Sequence, residues 1–123
     1  MKTKESQATF GKDIEFLKKH TDVILLSDAA GRGQLAVVPM LQGRVMTSTA
    51  GGTEGLSYGW INRALIASRH SAQHINPFGG EDRFWLGPEG GQFSVFFKKD
   101  MPFDLDHWLT PPPVDTESFE LVS

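Results

Sequence analysis

The sequence predicts an all-β, mainly antiparallel fold preceded by one short N-terminal helix. Three observations predict it. β-forming runs recur at short intervals, at residues 23–27, 34–41 and 44–49. Glycine-bearing turns separate them, which is the spacing of a meander. Downstream, residues 93–98 and 117–122 alternate apolar and polar side chains with a period of two.

The elements follow in order. Residues 1–8 are a polar, disordered start, and residues 9–123 read as a single β-sandwich domain. Phe10, Ile14 and Leu17 fall at i, i+4 and i+7, so residues 9–20 form a short amphipathic helix. Thr9 is its N-cap, and Lys18, Lys19 and His20 suit the negative end of its dipole. The 23–27 run is a strand, and 28–33 is a turn. The 34–41 run is a second strand, with Pro39 marking an edge or a bulge. Gln42-Gly43 turns the chain into the 44–49 strand. Residues 56–68 fit either a strand pair or a short helix. Phe93, Val95 and Phe97 share one face of a strand, and the Thr110-Pro-Pro-Pro113 run is extended and stiff. The 117–122 pattern is that of a strand, and the chain stops at Ser123, so the domain either ends on this strand or is the front part of something longer.

Bulk composition narrows the function classes. A chain of 123 residues with 39% hydrophobic content can bury a core. Its 12 basic and 15 acidic residues are well mixed, for a net charge of −3, so nucleic acid is not an expected partner. No apolar run is long enough to span a bilayer. The N-terminal MKTKESQATF has charges and no apolar h-region, so it does not read as a signal peptide. Composition leaves the compartment open, and an exported full-length parent is compatible with it. The absence of cysteine removes disulfides, thiol catalysis and thiolate metal sites.

The richest stretch is NPFGGEDRFWLGPEGGQ, residues 76–92, with five glycines, two prolines, three acids, an arginine and a tryptophan. Charges, an aromatic plane and close-approach glycines are how a loop holds a small polar ligand. If residues 84–86 form a short strand, Glu81, Arg83 and Trp85 share one face. Carboxylate and guanidinium would bond sugar hydroxyls, and the indole would cover the C–H face of the ring. The competing reading makes Trp85 a core residue and pairs Arg83 with Glu81 or Glu89.

The run HINPFGGEDRFWLGPEGGQFS, residues 74–94, resembles a signature of uncharacterised bacterial members of the galactose mutarotase-like (aldose 1-epimerase-like) superfamily. VVPMLQGRVMTSTA (37–50), FLKKHTDVILLSD (16–28) and GWINRALIAS (59–68) join the resemblance, so it covers most of the chain. It implies a β-supersandwich, of which these residues are the N-terminal portion. It also implies carbohydrate binding, with no cofactor. The family's catalytic histidine and glutamate lie later in the domain, so epimerase activity belongs to a full-length protein. Asn62-Arg63 is similar to an early sugar-contacting Asn-Arg pair. The family's His-Gly-Gly loop corresponds to Phe78-Gly79-Gly80, without the histidine. The resemblance therefore implies a sugar-facing surface drawn from Asn62, Arg63, Glu81, Asp82, Arg83, Trp85 and Glu89. Open sheet edges in such a portion imply self-association.

Two other constellations carry chemistry. His70 and His74 have i, i+4 spacing, and Glu81 or Asp82 could complete a metal site, as in a small cupin-like barrel. The alternative is surface or loop histidines. Asp104, Asp106, His107 and Trp108 form a second polar-aromatic cluster, either lining the same cleft as Trp85 or anchoring a surface turn. Trp60 reads as core or edge packing.

Overall fold

The computed structural model describes residues 8–123. The expected helix forms as α1, Phe10–His20. The backbone N–H groups of its first turn are all engaged. Phe10 donates to Gly55 O (2.9 Å) and Gly11 to Thr53 O (2.8 Å), while Thr9 Oγ1 accepts from Lys12 N (3.3 Å). These are the donors that a helix start leaves without intrahelical partners, and here they dock α1 onto the 53–56 loop. The predicted stripe of Phe10, Ile14 and Leu17 is buried.

Strands β1 (Ile24–Ser27), β2 (Gln34–Val38) and β3 (Arg44–Thr49) form one antiparallel meander in the order β1-β2-β3. Between β1 and β2, the Asp28 carboxylate closes the turn by accepting from Arg32 N (2.9 Å) and Gly33 N (3.1 Å). Pro39 does not sit inside a strand. It ends β2 and opens a 3-10 turn, Pro39–Leu41, because a ring nitrogen offers no hydrogen to a ladder.

The β2–β3 register slips by one residue at Met46. Ala36 faces Thr47, whereas Val37 faces Val45. This β-bulge turns both Met46 and Thr47 to the buried side. Phe10, Ile14, Leu17, Ala36, Val38 and Met46 form the core with Leu41, Ile61, Ile66 and Phe78.

The ambiguous 56–68 segment is extended first and helical second. Bridges form at Leu56 and Ile61, and α2 follows over Arg63–Ser68. The downstream strands do not form. Residues 93–98 are mostly turns and bends, residues 84–86 and 117–122 are irregular, and the proline run opens a short helix, α3, at Pro112–Asp115. The alternation at 93–98 fails because Phe96, the residue assigned outward, is the buried one, while Phe93 and Val95 are exposed. Antiparallel pairing is thus as expected, but among the described residues there is one sheet, and helical residues outnumber strand residues. None of the described helices is long and apolar enough to cross a membrane.

Candidate functional site

The glycine-rich loop enters along the free edge of β3. Val45 N donates to Asp82 O (3.0 Å), and Glu81 N donates to Val45 O (2.8 Å). The Glu81 carboxylate accepts from Ser48 N at 2.7 Å and from the Ser48 hydroxyl. Glu81 therefore closes a strand edge with its side chain. On the other side of the loop, Gly80 N donates to Trp60 O (2.8 Å) and Asn62 N to Phe78 O (2.9 Å). Tyr58 and Trp60 flank Gly59 on the extended 56–62 segment. Both are more than half exposed, so Trp60 is not the packed residue its sequence suggested.

Asn62 and Arg63 are occupied structurally. Asn62 caps α2 by accepting from Leu65 N (3.2 Å) and donates to Pro77 O (3.0 Å). Arg63 pairs with the buried Asp13 of α1, and its guanidinium lies 4.7 Å over the Phe16 ring. The pair thus ties α2 to α1 beside the base of the loop.

Arg83 turns inward rather than sharing an open face with Glu81. It donates to Val114 O and stands 3.8 Å from Asp115 Oδ1. Asp115 is the hub of a buried polar cluster that sequence reasoning missed. Its Oδ2 accepts from Asn76 Nδ2 (2.7 Å), and its Oδ1 lies 3.9 Å from Arg44 Nη2. Arg44 is itself buried, donating to Leu41 O, Gly79 O and Gln42 Oε1. Burial, then the neighbouring Arg83 charge, pulls the Arg44 guanidinium down from its ordinary range to about 10, with Asp115 opposing. Burial also lowers Arg83, again opposed by Asp115. One buried carboxylate thus faces a buried cation, Arg44, and a partly buried one, Arg83, and it sits two residues beyond the proline run that read as extended and stiff. No periodicity marks such a residue.

The half-buried Trp85 ring is engaged within the protein. Arg83 lies over its ring at 4.3 Å, and it stacks on the fully buried Phe96 at 5.0 Å. Phe96 in turn stacks on Trp108 at 4.4 Å. The indole Nε1 donates to Glu89 Oε1 (2.8 Å). This column carries the loop to the second polar-aromatic cluster. There, Asp104 caps a 3-10 turn, Leu105–His107, and His107 Nδ1 hydrogen-bonds the Asp104 carboxylate. That bond holds Asp104 below the usual carboxylate range. Phe97 packs edge-on against Trp108, and Phe103 packs edge-on against Phe97.

The two clusters meet at one cleft of about 370 Å³, lined by Glu89, Gly90, Phe97, Phe103, Asp104, Leu105 and Trp108. Glu89 and Asp104 each use one carboxylate oxygen internally, and the other makes no hydrogen bond among the described residues. Glu81, Asp82 and Arg83 line a separate groove of about 260 Å³ with Gly79 and Gly80.

The histidines do not share a helix face. His74 Nδ1 bonds Trp108 O at 2.7 Å, while His70 is exposed beyond the end of α2. Glu81 is committed to Ser48, and no group of three potential ligands that could hold a metal occurs among the described residues.

Residues 8–123 match the family described as a family of unknown function, DUF6786. The chain belongs to the DUF6786 family. The match takes in α1, the meander, the glycine-rich loop and the aromatic column. No curated protein and no solved structure matches the chain.

Proposed function

We propose that this DUF6786 chain is a carbohydrate-binding domain of the galactose mutarotase-like kind, with the sugar held in the Glu89–Trp108 cleft. The observation that carries the reading is the pairing of chemistries there. Two carboxylates each keep one oxygen for hydroxyls, beside the aromatic rings of Phe97, Phe103 and Trp108. Rings cover the C–H face of a sugar while carboxylates accept from its hydroxyls. The antiparallel meander is compatible with one layer of a supersandwich. Binding is favoured over catalysis, since epimerisation needs a proton donor opposite a base. Asp104, held below the carboxylate range, stays an ionised acceptor at neutral pH. Epimerase activity is the alternative reading, and a polarimetric mutarotation assay tests it. Self-association through the outer edge of β1 belongs to the same reading.

Isothermal titration against monosaccharides and oligosaccharides tests it. Dissociation constants near the millimolar range are expected, equivalent to about −4 kcal/mol. Phe103→Ala and Glu89→Gln should each weaken binding by about tenfold, the loss of one ring contact or one charged hydrogen bond. Absence of heat with every sugar, from protein shown to be folded, would sink the proposal.

A further inference from the structure

A second cleft, of about 360 Å³, opens on another side of the molecule, between the end of α1, the end of α2, the 39–42 turn and the end of α3. Its floor is apolar, formed by Leu41, Leu65, Ile66 and Phe78. Its rim carries Arg69, His70, Ser71 and Thr116. None of these four side chains makes a hydrogen bond or ion pair among the described residues. Asp115 also lines the cleft, but Arg44 and Arg83 already stand against it. The rim is therefore an uncompensated cation beside free hydroxyls.

The backbone adds an independent observation. Arg69 is the C-cap of α2 and sits in the left-handed region at φ 56°, with its N–H donating to Ile66 O. That position favours glycine, which has no Cβ to clash. A side chain there is held at a conformational cost, and such cost concentrates at functional positions. Here it places a guanidinium at the cleft mouth. The carbonyl end of α2 opposes an anion, but the helix is under two turns, so a full Arg charge outweighs that partial one.

We infer that this cleft binds a small hydroxylated organic anion, whose carboxylate or phosphate is gripped by Arg69. The planar fork of arginine matches either group in a bidentate manner. Ser71 and Thr116 bond the ligand's hydroxyls, and its apolar face lies on Phe78 and Ile66. This site is separate from the Glu89–Trp108 cleft and does not depend on it.

Calorimetric titration of the full chain with glucuronate, glucose 6-phosphate and neutral glucose tests the inference. At least one anion should bind where glucose leaves Arg69 unaffected, and comparing the two anions distinguishes carboxylate from phosphate. Arg69→Gly should weaken anion binding by about tenfold or more, as expected for a charge-assisted contact, while the melting temperature stays the same or rises. Arg69→Lys should retain part of the affinity. Three results would overturn it: neither anion binds, Arg69→Gly binds as tightly as the parent, or Arg69→Gly lowers the melting temperature and so gives the guanidinium a structural role. Neutral-sugar binding in the unaltered chain reports the other cleft, so the two proposals fail separately.

Discussion

A Cβ added to Gly59 would lie 2.1 Å from Met46 O, inside any allowed contact. The absent side chain lets the 56–62 segment press against the β3 bulge, and it turns Tyr58 and Trp60 outward. Gly59→Ala should therefore destabilise the fold by at least about 2 kcal/mol, the scale of overpacking in a core, measurable by urea denaturation. Parent-like stability would show that the segment yields freely. Gly79 is similarly constrained, at φ 92° and with its Cβ direction 2.3 Å from Trp60 O. Asp115 is the more consequential residue. Asp115→Ala leaves the buried Arg44 and the partly buried Arg83 without their shared counter-charge, a change that costs about 3–5 kcal/mol where buried pairs have been broken. Adding Arg44→Met to Asp115→Ala should recover part of that loss. A double variant no more stable than the single one would show that the charge on Arg44 is not what Asp115 offsets.

At the scale of elements, α1 is the part most legible in the sequence. Its cap, stripe and basic end all occur where the 3.6-residue period puts them. Leu17 has no exposed surface, and Leu17→Ala should cost about 2–5 kcal/mol by thermal or chemical denaturation. In α2, Asn62→Ala should cost about 1 kcal/mol as a lost cap. A loss of sugar binding at full stability would instead return Asn62 to the ligand-contacting role implied by the family resemblance. The Asp104 cap has a definite pH sense. Its folded pKa is depressed by the His107 bond, so its contribution is present above the ordinary carboxylate pKa and fades as pH falls through the depressed value. The amide exchange protection of His107 should follow that direction, and protection that rises on acidification would contradict it.

At the scale of the molecule, the two edges of the sheet differ. The outer edge of β3 is closed by the 78–82 loop, the Glu81 carboxylate and the 56–62 segment. Among the described residues no strand pairs with the outer edge of β1, where Leu25 and Leu26 are exposed. An open apolar edge is a template for pairing. The proposed self-association should appear as concentration-dependent sedimentation, reduced in Leu26→Lys. A single monomeric species at all concentrations would count against it.

What the sequence alone determined about this protein is local. The helix α1, the three-stranded meander and the Asp28 turn were legible because neighbouring residues set them: caps, periodicity and turn chemistry act within a few positions. Only the tertiary structure decided which polar residues are free. Glu81, Asn62, Arg63 and Arg83 looked like ligand contacts, yet each is bound to a partner at least fifteen positions away in the chain. The tertiary structure also brings Glu89 and Asp104, each with one oxygen that makes no hydrogen bond among the described residues, to one cleft, and Arg69, without an ionic partner among them, to the mouth of another. A side chain's own type states what it can bond. Whether another part of the chain already holds that bond is a matter of three-dimensional proximity, and no local pattern carries it.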